Sequence, residues 1–109
     1  IIEETLNRNL VSIPGFYTAT EGFNAIKYGA TILKLFPASL NGLSLIKDYS
    51  AVFPANIKFI PTGGINLDNI SNFLNKSYAV GLGGALFSED ISLQDFKDRI
   101  KKIRSILDK

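Results

Sequence analysis

The chain has 109 residues, 46% of them hydrophobic and 20% charged, with twelve basic against ten acidic side chains and a net charge of +2. That balance is ordinary for a globular protein and excludes a disordered, collagen-like or coiled-coil chain, and no apolar run reaches the roughly 20 residues of a membrane span. There is no Cys and no His, which removes disulfides, thiolate nucleophiles, Cys/His zinc sites and every catalytic triad built on histidine.

The first residues, Ile1-Ile-Glu-Glu-Thr-Leu6, have neither the basic start nor the apolar core of a secretory signal. They read as the tail of an amphipathic helix already under way, with the expectation that further polypeptide precedes them. Four apolar runs then recur at near-regular intervals: Leu10–Phe16, Thr31–Phe36, Ile57–Ile65 and Tyr78–Phe87. Each precedes a segment with helical spacing. Thr18-Ala-Thr-Glu21 is a capping-box pattern, Phe23 and Ile26 share a face, and Gly29 suits a C-terminal stop. Leu43, Ile46 and Val52 or Phe53 mark a second helix that ends near Pro54. Asn66 is the N-cap expected for a third, with Leu67, Ile70, Phe73 and Leu74 on its inner side. Ser92 caps a fourth, with Leu93, Phe96, Ile100, Ile103 and Leu107 inward and an outer face of mixed charge from Asp95 to Arg104.

Strand and helix alternating four times predict βαβ units, and strands that do not alternate polar with apolar predict a parallel sheet covered on both faces. Four units match half of a (β/α)8 barrel, whose usual length is about 250 residues. The scattered charges call for neither nucleic acid nor a membrane as partner.

Lys34 is the exceptional residue of the second run. A strand alternates its faces, so Ile32, Lys34 and Phe36 share one side and Leu33 and Leu35 the other. Inside a barrel, desolvation favours the neutral amine, which is the form that attacks a carbonyl to make a Schiff base. The alternative is a lysine whose stem packs while its ammonium stays in water. Pro61-Thr-Gly-Gly-Ile65 and Gly81-Leu-Gly-Gly84 close the third and fourth runs. Paired glycines at strand ends expose backbone N–H groups to an anion, and they also serve as plain turns. In barrels the last two βα loops commonly hold a phosphate. Glu21 has the chemistry of a general base, but its spacing from Thr18 favours a capping role. Tyr17, Tyr28, Tyr49 and Tyr78 are dispersed and read as packing at the rim of the core.

Ile13-Pro-Gly15, Thr18-x-x-Glu21, Leu33-Lys-Leu-Phe-Pro-Ala38, Pro61-Thr-Gly-Gly-Ile65 and Gly81-Leu-Gly-Gly84 occur in an order that resembles the 2-keto-3-deoxy-6-phosphogluconate aldolases. That group also includes the phosphogalactonate and 4-hydroxy-2-oxoglutarate aldolases. The resemblance spans the chain but corresponds to the C-terminal half of the family, so residues 1–109 are expected to be the C-terminal half of one TIM-barrel domain. It implies a class I aldolase that needs no metal or cofactor, a cytoplasmic homotrimer that splits a 2-keto-3-deoxy-6-phospho sugar acid into pyruvate and glyceraldehyde 3-phosphate. By resemblance Lys34 falls on the Schiff-base lysine, Phe36 and Thr62 on residues lining the 2-oxo acid site, and Gly63, Gly64, Gly83 and Gly84 on the phosphate loops. The family's catalytic carboxylate and substrate-binding Arg lie in its N-terminal half, and no residue here is assigned to those roles. Many members carry Ser where this chain has Ala85, which removes one hydroxyl donor to the phosphate. Two other readings stand beside the aldolase: a different phosphate-binding barrel enzyme using the same loops, and a catalytically inactive half-barrel that binds anions or a partner.

Overall fold

A computed structural model of the chain describes residues 1–108. The elements in chain order are α1 (Ile2–Asn7), β1 (Gly15–Phe16), α2 (Ala19–Lys27), β2 (Ile32–Leu35), α3 (Gly42–Val52), β3 (Lys58–Pro61), α4 (Ile70–Leu74) and α5 (Leu93–Leu107). The three strands form one parallel sheet in the order β1-β2-β3. Gly15 pairs with Lys34, and Lys34 in turn with Ile60.

The alternation expected along β2 is present. Leu33 and Leu35 are both 0% exposed, whereas Ile32 and Lys34 are half-buried and Phe36 is 52% exposed. Phe16, Phe59 and Pro61 join the two leucines on the helix-covered face. There Phe16 meets Tyr49, Phe53 and Phe59 at ring-centroid distances of 5.5, 5.9 and 5.9 Å. Each fully buried aromatic of this kind contributes about 1.5–3 kcal/mol of transfer free energy. The core therefore sits between the sheet and its helices. Ile32, Lys34, Phe36, Ile60 and Thr62 lie on the opposite face, and Lys34 on it is not sealed from solvent.

Local signals account for the helix ends. Thr18 accepts from the Glu21 N–H at 3.3 Å, and the Glu21 carboxylate accepts from the Thr18 N–H at 2.9 Å, completing the capping box. At the other end Gly29 takes φ +97°, its N–H bonds Ile26 O and the Ala30 N–H bonds Ala25 O. Those two bonds are a Schellman motif, and the positive φ is the reason for glycine there. Ser92 Oγ accepts from the Asp95 N–H at 3.0 Å and opens α5.

Several expectations are corrected. The run Tyr78–Phe87 is not a strand; it holds a single parallel bridge, Thr62 with Gly81, and two bonds to the sheet, Tyr78 N–H to Phe59 O and Gly81 N–H to Pro61 O. Glycines at 81, 83 and 84 and a missing neighbour on the outer side leave it nothing further to pair with among the described residues. The run Leu10–Phe16 is strand only at Gly15–Phe16; Leu10, Val11 and Ile13 are exposed, and Pro14 offers no N–H to a ladder. Asn66 does not cap α4 directly. Its Oδ1 accepts from the Asp68 and Asn69 N–H groups and caps a turn that precedes the helix. Phe23 is exposed, while Gly22 and Ala25 carry the buried side of α2. Leu93 and Leu107 are exposed, and Ile103 is the buried residue of α5. No helix among the described residues is long and apolar enough to cross a membrane.

Candidate functional site

Lys34 and the glycine loops emerge at the same end of the sheet, on either side of Phe36. On one side is a cleft of about 290 Å³ bounded by Gly15, Phe16, Tyr17, Glu21, Lys34 and Phe36. The Lys34 stem crosses Gly15, with Cε 4.0 Å from where a Cβ on Gly15 would stand. Its Nζ lies 5.4 Å from the centre of the Phe36 ring, a distance at which the ring face attracts a cation. No carboxylate lies within ion-pair distance of it among the described residues, where Arg8–Glu4 is the single salt bridge.

On the other side of Phe36 a cleft of about 410 Å³ is lined by Phe36, Thr62, the Gly63–Asn66 segment, Gly81, Gly83, Gly84 and Ala85. The structure thus brings together six of the seven residues singled out in the sequence around one cleft, and places the seventh, Lys34, in the adjoining one. Among the described residues the N–H groups of Gly63, Gly64, Ile65, Gly83, Gly84 and Ala85 donate to no protein acceptor. Six free backbone donors from two loops around one concavity are the arrangement that binds an oxyanion.

The two glycine pairs differ physically. Gly63 and Gly64 take φ +97° and +72°, and a Cβ on Gly64 would stand 2.6 Å from Ser39 Cβ. These two are required by the backbone. A Cβ on Gly83 or Gly84 would meet nothing within 4 Å, so neither is required by close packing. Gly81 permits the bridge to Thr62, because a Cβ there would collide with Thr62 Oγ1.

Glu21 borders the Lys34 cleft but is engaged elsewhere: one carboxylate oxygen accepts from the Tyr17 N–H at 2.8 Å and the Thr18 N–H at 2.9 Å. These backbone bonds, Thr18 first and Tyr17 second, hold its pKa below the ordinary 4.5. The unfolded chain has the ordinary value, so the cap stabilises fully above about pH 4.5 and is lost as pH falls through the lower folded value. In an amide titration the Tyr17 and Thr18 N–H signals are expected to shift with a midpoint below 4.5. Glu21→Gln should remove that transition, and a midpoint at or above the ordinary value would contradict the geometry.

The dispersed tyrosines hold a link that spacing in the sequence does not reveal. Tyr49 Oη donates to Tyr17 O at 2.6 Å, and Tyr17 Oη donates to Leu40 O at 3.0 Å. Burial first, then the neighbouring Tyr17, Glu21 and Asp48, raise the Tyr49 pKa, so it stays a donor at neutral pH. This chain ties the β1–α2 loop to α3 and to the β2–α3 loop. Tyr17 and Tyr49 are separated by 32 residues, and they meet only because α3, which carries Tyr49, packs beside the loop that follows β1.

The family described as Aldolase: KDPG and KHG aldolase matches residues 1–104. A 2-dehydro-3-deoxy-6-phosphogalactonate aldolase of Escherichia coli is 34% identical over 95 residues, covering 86% of this chain and 46% of the relative. A 2-dehydro-3-deoxy-phosphogluconate aldolase of Treponema pallidum is 31% identical over 103 residues, covering 88% of this chain and 47% of the relative. A solved structure described as native KDPGal superposes with a TM-score of 0.86 at 29% identity, over 99% of this chain and 55% of its own. The chain spans about half the length of the relatives it matches. With the sheet, the lysine and both glycine loops in place and the family match running from residue 1 to 104, the chain belongs to the KDPG and KHG aldolase family.

Proposed function

We propose that residues 1–109 are the C-terminal half of a TIM-barrel Schiff-base aldolase, in which Lys34 is the nucleophile and the two glycine loops hold the substrate phosphate. The observation that carries this reading is Lys34 on the β2 face opposite the core, one aromatic ring away from a cleft lined by six residues whose backbone N–H groups donate to no protein acceptor. A 2-keto-3-deoxy-6-phospho sugar acid has its carbonyl near one end and its phosphate at the other, so the two clefts suit its two ends. Phe36 stands between them and Thr62 borders the second.

The Lys34 amine adds to the C2 carbonyl and expels water, giving a protonated imine. A base takes the proton of the C4 hydroxyl, the C3–C4 bond breaks, and its electrons pass into the imine as an enamine. Glyceraldehyde 3-phosphate leaves. The enamine is protonated at C3, and water then hydrolyses the imine to release pyruvate and the free lysine. One Glu21 oxygen is held by its cap, and the base is proposed to be a carboxylate outside this chain; proton transfer of that kind is worth typically 10²–10⁴-fold. The assembled enzyme is proposed to be a cytoplasmic homotrimer.

The test is to express the 109-residue chain alone and together with the remaining half of the barrel, and to measure pyruvate release from 2-keto-3-deoxy-6-phosphogluconate. Release is expected from the pair, with at most about a hundredth of that rate from the chain alone. Rapid release by the chain alone would locate the base within it, and no release by a folded, associated pair would overturn the reading.

A further inference from the structure

Arg99 lies on α5, half-buried, with Nη1 3.2 Å from the carbonyl oxygen of Gly84. It has no carboxylate partner, since Arg8–Glu4 is the single salt bridge among the described residues. A half-buried guanidinium spent on one backbone carbonyl invites a second use of its charge. The Gly84–Ala85 peptide is trans, the one cis bond being Phe36–Pro37. In a planar trans peptide the C=O and N–H point in opposite directions. With the Gly84 C=O turned to α5, the Ala85 N–H is turned away from α5. No α5 residue lines the glycine cleft, whereas Gly83, Gly84 and Ala85 all do. Arg99 therefore stands behind the loop, holding one peptide so that its donor points toward the cleft.

We infer that Arg99 is a positioning and specificity-determining residue for the anion site: it fixes the Gly84–Ala85 peptide and adds a positive charge behind it. The inference rests on the anion-binding reading of the cleft given above. A charged donor on the carbonyl polarises the peptide and strengthens the N–H at its other end. The guanidinium charge itself favours a phosphate in front of the loop, less so as salt screens it. This arrangement offsets the absence of a hydroxyl at Ala85. The turn has bonds of its own, Leu86 N–H and Phe87 N–H to Gly83 O, which give its integrity a separate readout.

The experiment is a titration of the 109-residue chain with inorganic phosphate, followed by backbone amide shifts. Wild type is expected to show saturable shifts at Gly63, Gly64, Gly83, Gly84 and Ala85. Arg99→Gln should weaken phosphate binding about tenfold, with the Leu86 and Phe87 amides unmoved before phosphate is added. Arg99→Lys, which keeps the charge, should recover most of that loss, and the gap between wild type and Arg99→Gln should narrow at high salt. Equal phosphate affinity in wild type and Arg99→Gln would overturn the role of Arg99 while leaving the anion site standing. Should Arg99→Gln disturb the turn, Arg99→Lys decides: near-wild-type affinity supports the inference and a tenfold loss overturns it. Absence of phosphate shifts in wild type would overturn the anion site itself, and the role of Arg99 with it.

Discussion

Lys34→Ala is expected to abolish aldol cleavage by the assembled barrel, by about 10⁴-fold or more, while the sheet stays folded. The fold is indifferent because Lys34 lies on one face of the sheet, whereas the core is built from Leu33, Leu35, Phe16 and Phe59 on the opposite one. Removing a half-buried ammonium that has no carboxylate partner deletes no salt bridge. Lys34→Arg should be equally inactive, since a guanidinium stays protonated and cannot form an imine. It keeps the charge and the contact with the Phe36 ring, so it separates nucleophilic from electrostatic roles. Substantial cleavage by Lys34→Arg would mean that the lysine acts by charge alone, as in a non-covalent phosphate-binding barrel.

Gly64→Ala and Gly84→Ala are expected to fail in different ways. At Gly64 a left-handed φ of +72° costs a side chain about 1–2 kcal/mol, and the 2.6 Å approach to Ser39 Cβ adds to that. Thermal unfolding should therefore shift by several degrees and anion affinity should fall with it. At Gly84 a Cβ meets no protein atom within 4 Å. Stability should then change by less than about 0.5 kcal/mol, while affinity for a phosphorylated substrate falls about tenfold through crowding of the free N–H groups. The unphosphorylated 2-oxo acid should be affected much less. Equal losses for both substrates in Gly84→Ala would mark that loop as a turn without an anion.

The parts of the fold that follow from local chemistry were legible in the sequence. Thr18 and Glu21 announce the α2 cap, Gly29 its end, and the alternation around Lys34 the two faces of β2, because each depends on residues a few positions apart. What depended on partners was not legible. The run Tyr78–Phe87 is apolar enough for a strand, yet it makes one bridge because a strand needs neighbours as well as composition. Leu10, Val11 and Ile13 stay exposed for the same reason. Phe23 stays exposed although its ring meets the buried Phe53 edge-on, with ring centroids 4.7 Å apart, because Gly22 lets the α2 backbone itself come up to Phe53. Of the candidate site, Lys34 and the Gly63–Gly64 pair could be picked out by their positions toward the ends of β2 and β3, whereas Gly83 and Gly84 follow a run that is not a strand and were marked by the motif alone. The Tyr49–Tyr17–Leu40 link and the Arg99–Gly84 contact could not, since they join residues that meet only once the helices have packed.

Imine trapping decides whether Lys34 attacks a 2-oxo acid carbonyl. The 109-residue chain is mixed with pyruvate, reduced with borohydride, digested and mapped by mass spectrometry, with Lys34→Ala treated in parallel. A carboxyethyl adduct is expected on the peptide containing Lys34, dependent on pyruvate and absent from the variant. The side chain, its position on β2 and its Phe36 neighbour are all local to this chain. An adduct on Lys58 or on a surface lysine of α5, or no adduct in a folded chain, would contradict attack by Lys34.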